Sequence, residues 1–213
     1  MKTCLIDNCD GKHVAKGFCI RHYGQFRHYG KILPRFANDP NEIAVNDSVC
    51  KIFLYNNKGI KITETLIDVE DYPKVKPYKW HISTKGYAVT TIVTKNKKRK
   101  LLFLHHLILK PNPPVSPFID HKNRDKLDNR KLNLRRCSQS QNSANSIKPK
   151  TNKSGFKGVS WNKQMNKWRA VIGHNRKMIR IGWFEKKEDA ALAYNETAKK
   201  IYGEFAKLNA VNV

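Results

Sequence analysis

Apolar residues in this chain come in short runs that are broken before they can build one large core. Residues 50 to 66 (Cys-Lys-Ile-Phe-Leu-Tyr, then Gly-Ile-Lys-Ile-Thr-Glu-Thr) and 86 to 95 (Gly-Tyr-Ala-Val-Thr-Thr-Ile-Val-Thr-Lys) are rich in β-branched and aromatic side chains. Asn-Asn-Lys-Gly and Ser-Thr-Lys-Gly turn signals break them, so both predict hairpins. A further apolar run, Leu101 to Leu109, leads into Pro111-Asn-Pro-Pro, an irregular connection. Pieces of this size are near or below what a hydrophobic core stabilises unaided. The chain should therefore be built of small modules, at least one of them held by metal.

Charge divides along the same lines. The 213 residues carry 42 Lys or Arg against 17 Asp or Glu, a formal net charge of +25. Residues 95 to 145 hold 13 basic and 3 acidic side chains (+10) and residues 146 to 213 hold 15 and 5 (+10), whereas 40 to 94 hold 7 and 6 (+1). So large an excess opposes compaction by self-repulsion and points to a polyanion, with nucleic acid the leading partner; charge alone does not separate double-stranded DNA from RNA. No apolar run approaches the roughly 20 residues of a membrane span, and the first residues lack a signal peptide's apolar core. A membrane role and a small-molecule cofactor are not expected. The expected compartment is the cytoplasm.

Five cysteines in a reducing compartment read better as metal ligands than as disulfides. Cys4-x4-Cys9-x9-Cys19-x2-His22 offers three thiolates and an imidazole within nineteen residues, a donor set suited to a closed, structural Zn2+ site. His13 and His28 are rival ligands. Cys50 and Cys137 read as small buried hydrophobes. The segment Gly17 to Gly30 resembles the zinc-finger-like leaders that precede some phage endonuclease domains.

The most informative stretch runs from Ile119 to Asn145. Asp120 and His121 end an apolar run, a polar loop follows, and Ser138-Gln-Ser-Gln141 matches a capping box opening a short helix. On an ideal strand Asp120 and His121 face opposite ways, so both serve one site only if the chain leaves the strand there. Phosphodiester hydrolysis needs a base for water and a cation for phosphate charge. Histidine can be the base, while Asp and Asn oxygens suit Mg2+ or Mn2+.

Taken residue by residue, Asp120-His121, Asn133 and Asn142 resemble the HNH motif of the ββα-metal nucleases, and more closely the phage and intron-encoded HNH homing endonucleases. The upstream text around Ile67 to Trp80 and Leu104 to Ile108 is similar to the same subgroup. The resemblance implies that His121 is the general base, that Asp120 and Asn142 ligate one divalent cation, and that Asn133 braces the loop between two strands. Asn142 stands where the family's name has its final His, and its amide oxygen remains a hard ligand. Of His105 and His106, His106 is favoured as a secondary site residue and the other as a core residue.

From Gly155 three short β-like runs are followed by a helix, with Ala190, Ala191, Tyr194, Ala198 and Ile201 at helical spacing and Gly203 to end it. This segment resembles the Apetala/ethylene-response-factor DNA-binding domain through Lys157-Gly-Val, Lys167-Trp168, Ile181-Gly-Trp-Phe184 and Glu188 to Tyr194. Carried over by position, Lys157, Ser160, Asn162, Arg169 and Arg180 would contact DNA. Alternation and charge add Trp161 and Lys163, and Trp168 and Trp183 are assigned to the core. Ser160 and Asn162 replace residues that are arginine in plant members, so a base preference does not transfer.

The expected fold is α+β and multi-module. It comprises a zinc knuckle (1–39), an HNH nuclease domain of ββα-metal type with preceding hairpins (40–146), a linker (147–154), and a three-stranded antiparallel sheet with a helix (155–213). The expected function is site-specific DNA cleavage of the homing type by a monomer on DNA. Removing residues 146–213 should weaken binding and flatten its salt dependence while sparing some cutting. A non-catalytic DNA-binding regulator and an RNA-binding or RNA-cleaving protein are the alternatives.

Overall fold

The computed structural model describes residues 3 to 211 apart from 8, 34, 37, 38, 115 and 150. The amino-terminal segment folds around its cysteines. Two short strands, β1 (His13–Ala15) and β2 (Phe18–Cys19), turn at Gly17, whose φ of 82° suits glycine, and helix α1 (Ile20–Tyr29) follows directly. Gly30 ends the helix in left-handed conformation, its N–H donating to the carbonyl of Phe26.

The first larger sheet is set by alternation. β3 (Ile43–Asn46), β4 (Val49–Tyr55) and β5 (Lys61–Asp68) form an antiparallel meander in which Cys50, Ile52 and Leu54 of β4 point inward and their neighbours outward. A 3-10 turn (Val69–Asp71) and α2 (Tyr72–Val75) lead to a second meander, β6 (His81–Ile82), β7 (Ala88–Val93) and β8 (Arg99–Phe103), and then to α3 (Leu104–Ile108). Neither sheet has enough apolar surface for a core of its own. They share one, in which Ile52, Leu54, Ile67, Val75, Trp80 and Leu104 pack with Ile119 and Leu134 of the next two strands. Trp80 anchors it at 1% exposure, its indole N–H satisfied by the carbonyl of Val75 at 3.0 Å. Truncating it to alanine should cost about 3–5 kcal/mol.

Strands β9 (Phe118–His121) and β10 (Leu134–Cys137) pair antiparallel and are followed by helix α4 (Gln139–Asn145). The expected capping box is present: Ser138 accepts from the backbone of Gln141, and the Gln141 side chain accepts from the backbone of Ser138. The Cys50 and Cys137 side chains are fully buried, as free thiols.

The last sheet comprises β11 (Val159–Asn162), β12 (Lys167–His174) and β13 (Lys177–Phe184), with α5 (Lys187–Tyr202) across one face. The alanines allow close approach: Ala190 and Ala191 sit fully buried against Val159 and Ala170. Gly158 is required there, because a Cβ would lie 2.3 Å from the ring of Tyr194 and 2.6 Å from the carbonyl of Val171. This unit is joined to the preceding helix. Ala144 of α4 packs among Ile172, Tyr194, Ala198 and Tyr202. Asn152 and Ser154, expected in the linker, hydrogen-bond the carbonyls of Phe156 and Val159 instead, and residue 150 of that stretch lies outside the described residues.

Candidate active site

The pairing of β9 with β10 sets Arg135 directly across from Asp120. Cross-strand partners share a face, and the guanidinium meets the carboxylate there, Nε and Nη2 each 2.9 Å from Oδ2. Both side chains are at most 10% exposed. Arg135 is held from its far side as well, stacked 3.8 Å from the ring centre of Phe205 and donating to the carbonyl of Glu204 at 3.0 Å.

His121 turns to the opposite face of the ribbon. Its ring lies edge-on to His105, with centres 5.0 Å apart, and its Nε2 is 3.2 Å from Oδ1 of Asn129. Burial pushes its pKa down, opposed by the Asn129 bond and by Asp120, Asp125 and Asp128. At neutral pH the imidazole is therefore the free base. After His121 the chain leaves the strand through Arg124, which takes φ 67°. Asn133 spans the loop that follows: its oxygen accepts from the backbone of Asn123 at 3.0 Å, and its amide donates to the carbonyl of Asp128 at 2.7 Å.

Helix α4 closes the site. Asn142 and Asn145 are three residues apart, hence on one face, and both line a cavity of about 320 Å³ with Asp120, His121, Arg124 and Lys126. Asp120 and His121 thus reach one opening from two faces of a ribbon whose first strand ends at His121. Asn145 is buried and donates its amide to Oδ1 and Oδ2 of Asp120 at 2.9 and 3.0 Å and to the carbonyl of His121 at 2.9 Å. Asn129 and Asn145 were missed by sequence reasoning. Helical spacing from Asn142 was the available signal for Asn145; none marked Asn129 among the polar residues of its loop.

The arrangement has the parts of a metal-assisted hydrolytic site: a neutral imidazole, a carboxylate, a neutral amide and two cations around an open cavity. Asp120 and Asn142 are hard oxygen donors that could hold a divalent cation. Asp120 Oδ2 is engaged by Arg135, so Oδ1 is the more available of its two oxygens.

The remaining expected positions are placed by packing and strand register. His105 is buried as expected, 5% exposed with an unpartnered Nδ1, and its ring sits against His121, while His106 packs edge-on against His105; neither lines the cavity. Lys157 does not present its ammonium to a partner. It caps α4, donating to the carbonyls of Ser143, Ala144 and Ser146 at 3.0, 2.6 and 2.7 Å, and burial beside Arg124 and Lys207 pushes its pKa down to about 8. Trp161 pairs with Trp168, ring centres 5.1 Å apart, on the side of its strand that carries buried Val159 and opposite Ser160 and Asn162, and it remains 43% exposed.

The outer side carries Ser160, Asn162, Arg169 and Arg180, and Trp183 stands directly across from Arg169 rather than in the core. Asn162 spends its oxygen on the backbone of Met165, holding the turn in which Lys163 is exposed.

At the amino terminus the sulfurs of Cys4, Cys9 and Cys19 and a ring nitrogen of His22 all lie within 4.8 Å of one another, a cluster that could hold a metal ion. His13 is outside it, its Nε2 accepting from the backbone of Gly17, and His28 packs edge-on against Tyr29. Gly11 makes room, since a Cβ there would lie 2.6 Å from the Cβ of Cys19 and 3.0 Å from its sulfur.

A strand pair ending in a buried Asp-His, closed by a helix that returns asparagines to the same cavity, forms a candidate nuclease site. The chain is a member of the HNH endonuclease family: it is 30% identical over 176 residues to the uncharacterized HNH endonuclease L560 of Acanthamoeba polyphaga mimivirus, a match covering 83% of this chain and 89% of that protein. It is also 33% identical over 94 residues to protein 3.8 of Escherichia phage T7, covering 44% of this chain and 77% of that one. No family model matches the chain, and no solved structure matches it. Among the described residues no helix is long and apolar enough to cross a membrane.

Proposed function

We propose that the protein is a site-specific DNA endonuclease of the homing type, cutting phosphodiester bonds with one divalent cation and His121 as general base. The observation that carries this reading is the shared cavity of Asp120, His121 and Asn142, walled by Arg124 and Lys126. Asp120 and Asn142 would hold Mg2+ or Mn2+, which when bound neutralises charge on the phosphate and the leaving oxygen. His121 takes a proton from water as the water oxygen bonds to phosphorus. The bond from phosphorus to the leaving oxygen then breaks, and that oxygen is protonated from solvent. Arg124 and Lys126 attract the phosphate backbone, and Asn133 keeps the loop that carries them in register with the strands.

Cys4, Cys9, Cys19 and His22 would hold a structural Zn2+. Tetrahedral zinc with Zn–S near 2.3 Å sets S···S edges of about 3.8 Å. The Cys9 and Cys19 sulfurs are 3.8 Å apart, and Nδ1 of His22 is 3.3 and 3.4 Å from Cys4 and Cys19. With four protein ligands such an ion is closed to substrate. The outer face bearing Ser160, Asn162, Arg169 and Arg180, with exposed Lys163 beside it, would lie against duplex DNA, making this unit the reader and the Asp-His ribbon the cutter.

Supercoiled plasmid incubated with protein and Mg2+ should give nicked or linear product, abolished by EDTA and by His121→Ala. Undiminished cutting by the alanine variant would remove His121 from the mechanism. Specific binding without metal-dependent cleavage would favour the regulator reading, and preference for RNA at fixed salt would favour an RNA substrate.

A further inference from the structure

Thr65 belongs to the nearly neutral segment 40–94, yet it is fully buried and two bonds removed from His121. The loop after His121 lies along β5: Leu66 pairs in parallel with Asp128, its N–H donating to Leu127 at 2.8 Å and its carbonyl accepting from Asn129 at 2.8 Å. This brings the side chains of Thr65 and Asn129 together.

The polarity of every bond between them is determined by chemistry. The carbonyl of Leu127 can only accept, so the Thr65 hydroxyl, 2.7 Å away, donates to it. With its proton committed, Thr65 Oγ1 must accept from Asn129, 2.8 Å away, so the atom there is the amide nitrogen. The same nitrogen lies 3.3 Å from the Leu127 carbonyl, a second acceptor demanding the same orientation. The Asn129 oxygen therefore faces His121 Nε2 at 3.2 Å and can only accept.

We infer that Asn129, backed by Thr65, is a positioning residue that holds His121 in the Nε2–H tautomer, leaving the Nδ1 lone pair open to the cavity. Nδ1 of His121 has no hydrogen-bond partner among the described residues, yet it is not sealed from solvent as Nδ1 of His105 is. The inference rests on the proposed role of His121 as base and adds what selects its basic nitrogen. The hairpin sheet thereby contributes to the chemistry through one hydroxyl and one carbonyl.

The test reads the tautomer directly, without substrate. Long-range proton–nitrogen NMR correlation on the full chain labelled with 15N-histidine, with His121 assigned through His121→Gln, should show Nε2 protonated and Nδ1 bare. In Asn129→Ala the signals should move to a mixture of tautomers, with kcat for plasmid cleavage down about 10²-fold and KM little changed. Thr65→Val, which keeps shape and the Leu127 acceptor, should give a smaller shift in the same direction. A wild-type His121 protonated on Nδ1, or a folded Asn129→Ala with an unchanged tautomer, overturns the inference. Full cutting by His121→Ala overturns the base role itself, a result read separately from the tautomer.

Discussion

Asn145 grips Asp120 by both carboxylate oxygens, at 2.9 and 3.0 Å, and the same amide nitrogen holds the carbonyl of His121 at 2.9 Å. One side chain of α4 thus ties the candidate cation ligand and the candidate base to the helix that carries Asn142. Asn145→Ala leaves buried acceptors unmet and should destabilise the fold by about 1–3 kcal/mol, with a larger fractional loss of cleavage than of DNA binding. Asn145→Asp, which sets a carboxylate against Asp120, should be worse on both counts. Denaturant unfolding together with plasmid cleavage separates the two effects, and an Asn145→Ala protein of full activity would show that the grip is incidental.

Removing Arg135 leaves Asp120 as a buried carboxylate without its cation. Arg135→Leu should therefore lose about 3–5 kcal/mol without added metal. A divalent cation at Asp120 replaces the missing charge, so Mg2+ should raise the melting temperature of this variant more than that of the parent protein. Equal shifts in the two proteins would argue against a cation at Asp120.

The proposed DNA-binding face and the fold can be separated by point changes but not by truncation. Arg169→Ala and Arg180→Ala, both on the outer face, should each lower the slope of log K against log salt by about 1 while leaving thermal stability unchanged. Deleting residues 146–213 also removes the Lys157 cap from α4 and Phe205 from Arg135. The truncated protein should unfold earlier and cut less well than the double point variant. A truncation as stable and active as that variant would show that the docked contacts do nothing for the site.

Chelation should unfold the amino-terminal knuckle and leave the core around Trp80 intact, since among the described residues those two groups of side chains do not share a cluster. Gly11→Ala should have a similar effect through its clash with Cys19. Loss of zinc on mass spectrometry, with retained far-UV signal from the remainder, is the expected result for both.

His105 makes stability depend on acid. Burial, with His121 and His106 nearby, pushes its pKa down to about 2. Below pH 6.5 the unfolded chain takes up a proton that the native state refuses, so stability falls as pH drops through 6.5. By pH 5 the loss should be about 2 kcal/mol. His105→Phe removes that term, and its urea midpoint should change less between pH 7 and pH 5 than the parent's. An equal change in both would remove His105 as the cause.

Features written over a few residues were legible without coordinates. The hairpin runs with their turn signals, the Ser138 to Gln141 capping box, the alanine stripe of α5 and the close spacing of Cys19 and His22 depend on local geometry, and their signals survive any tertiary context. The same local rules were silent on what covers each face. Alternation put Trp161 on one side of its strand but could not say which side met α5. A Lys beside a Gly looked available for DNA until α4 ended against it, and of two adjacent histidines either could have faced His121.

By itself, then, the sequence determined the inventory: short strands, small modules, a thiol cluster, and an Asp-His pair with asparagines at family spacing. Tertiary structure alone decided the connections. Thr65 and Asn129 are separated by sixty-four positions and meet because a loop pairs with β5. Arg135 reaches Asp120 through strand register and is braced by Phe205 from the last unit. Such contacts carry no periodic signal, because the hydrogen bonds that select them are formed between elements whose separation in sequence is arbitrary.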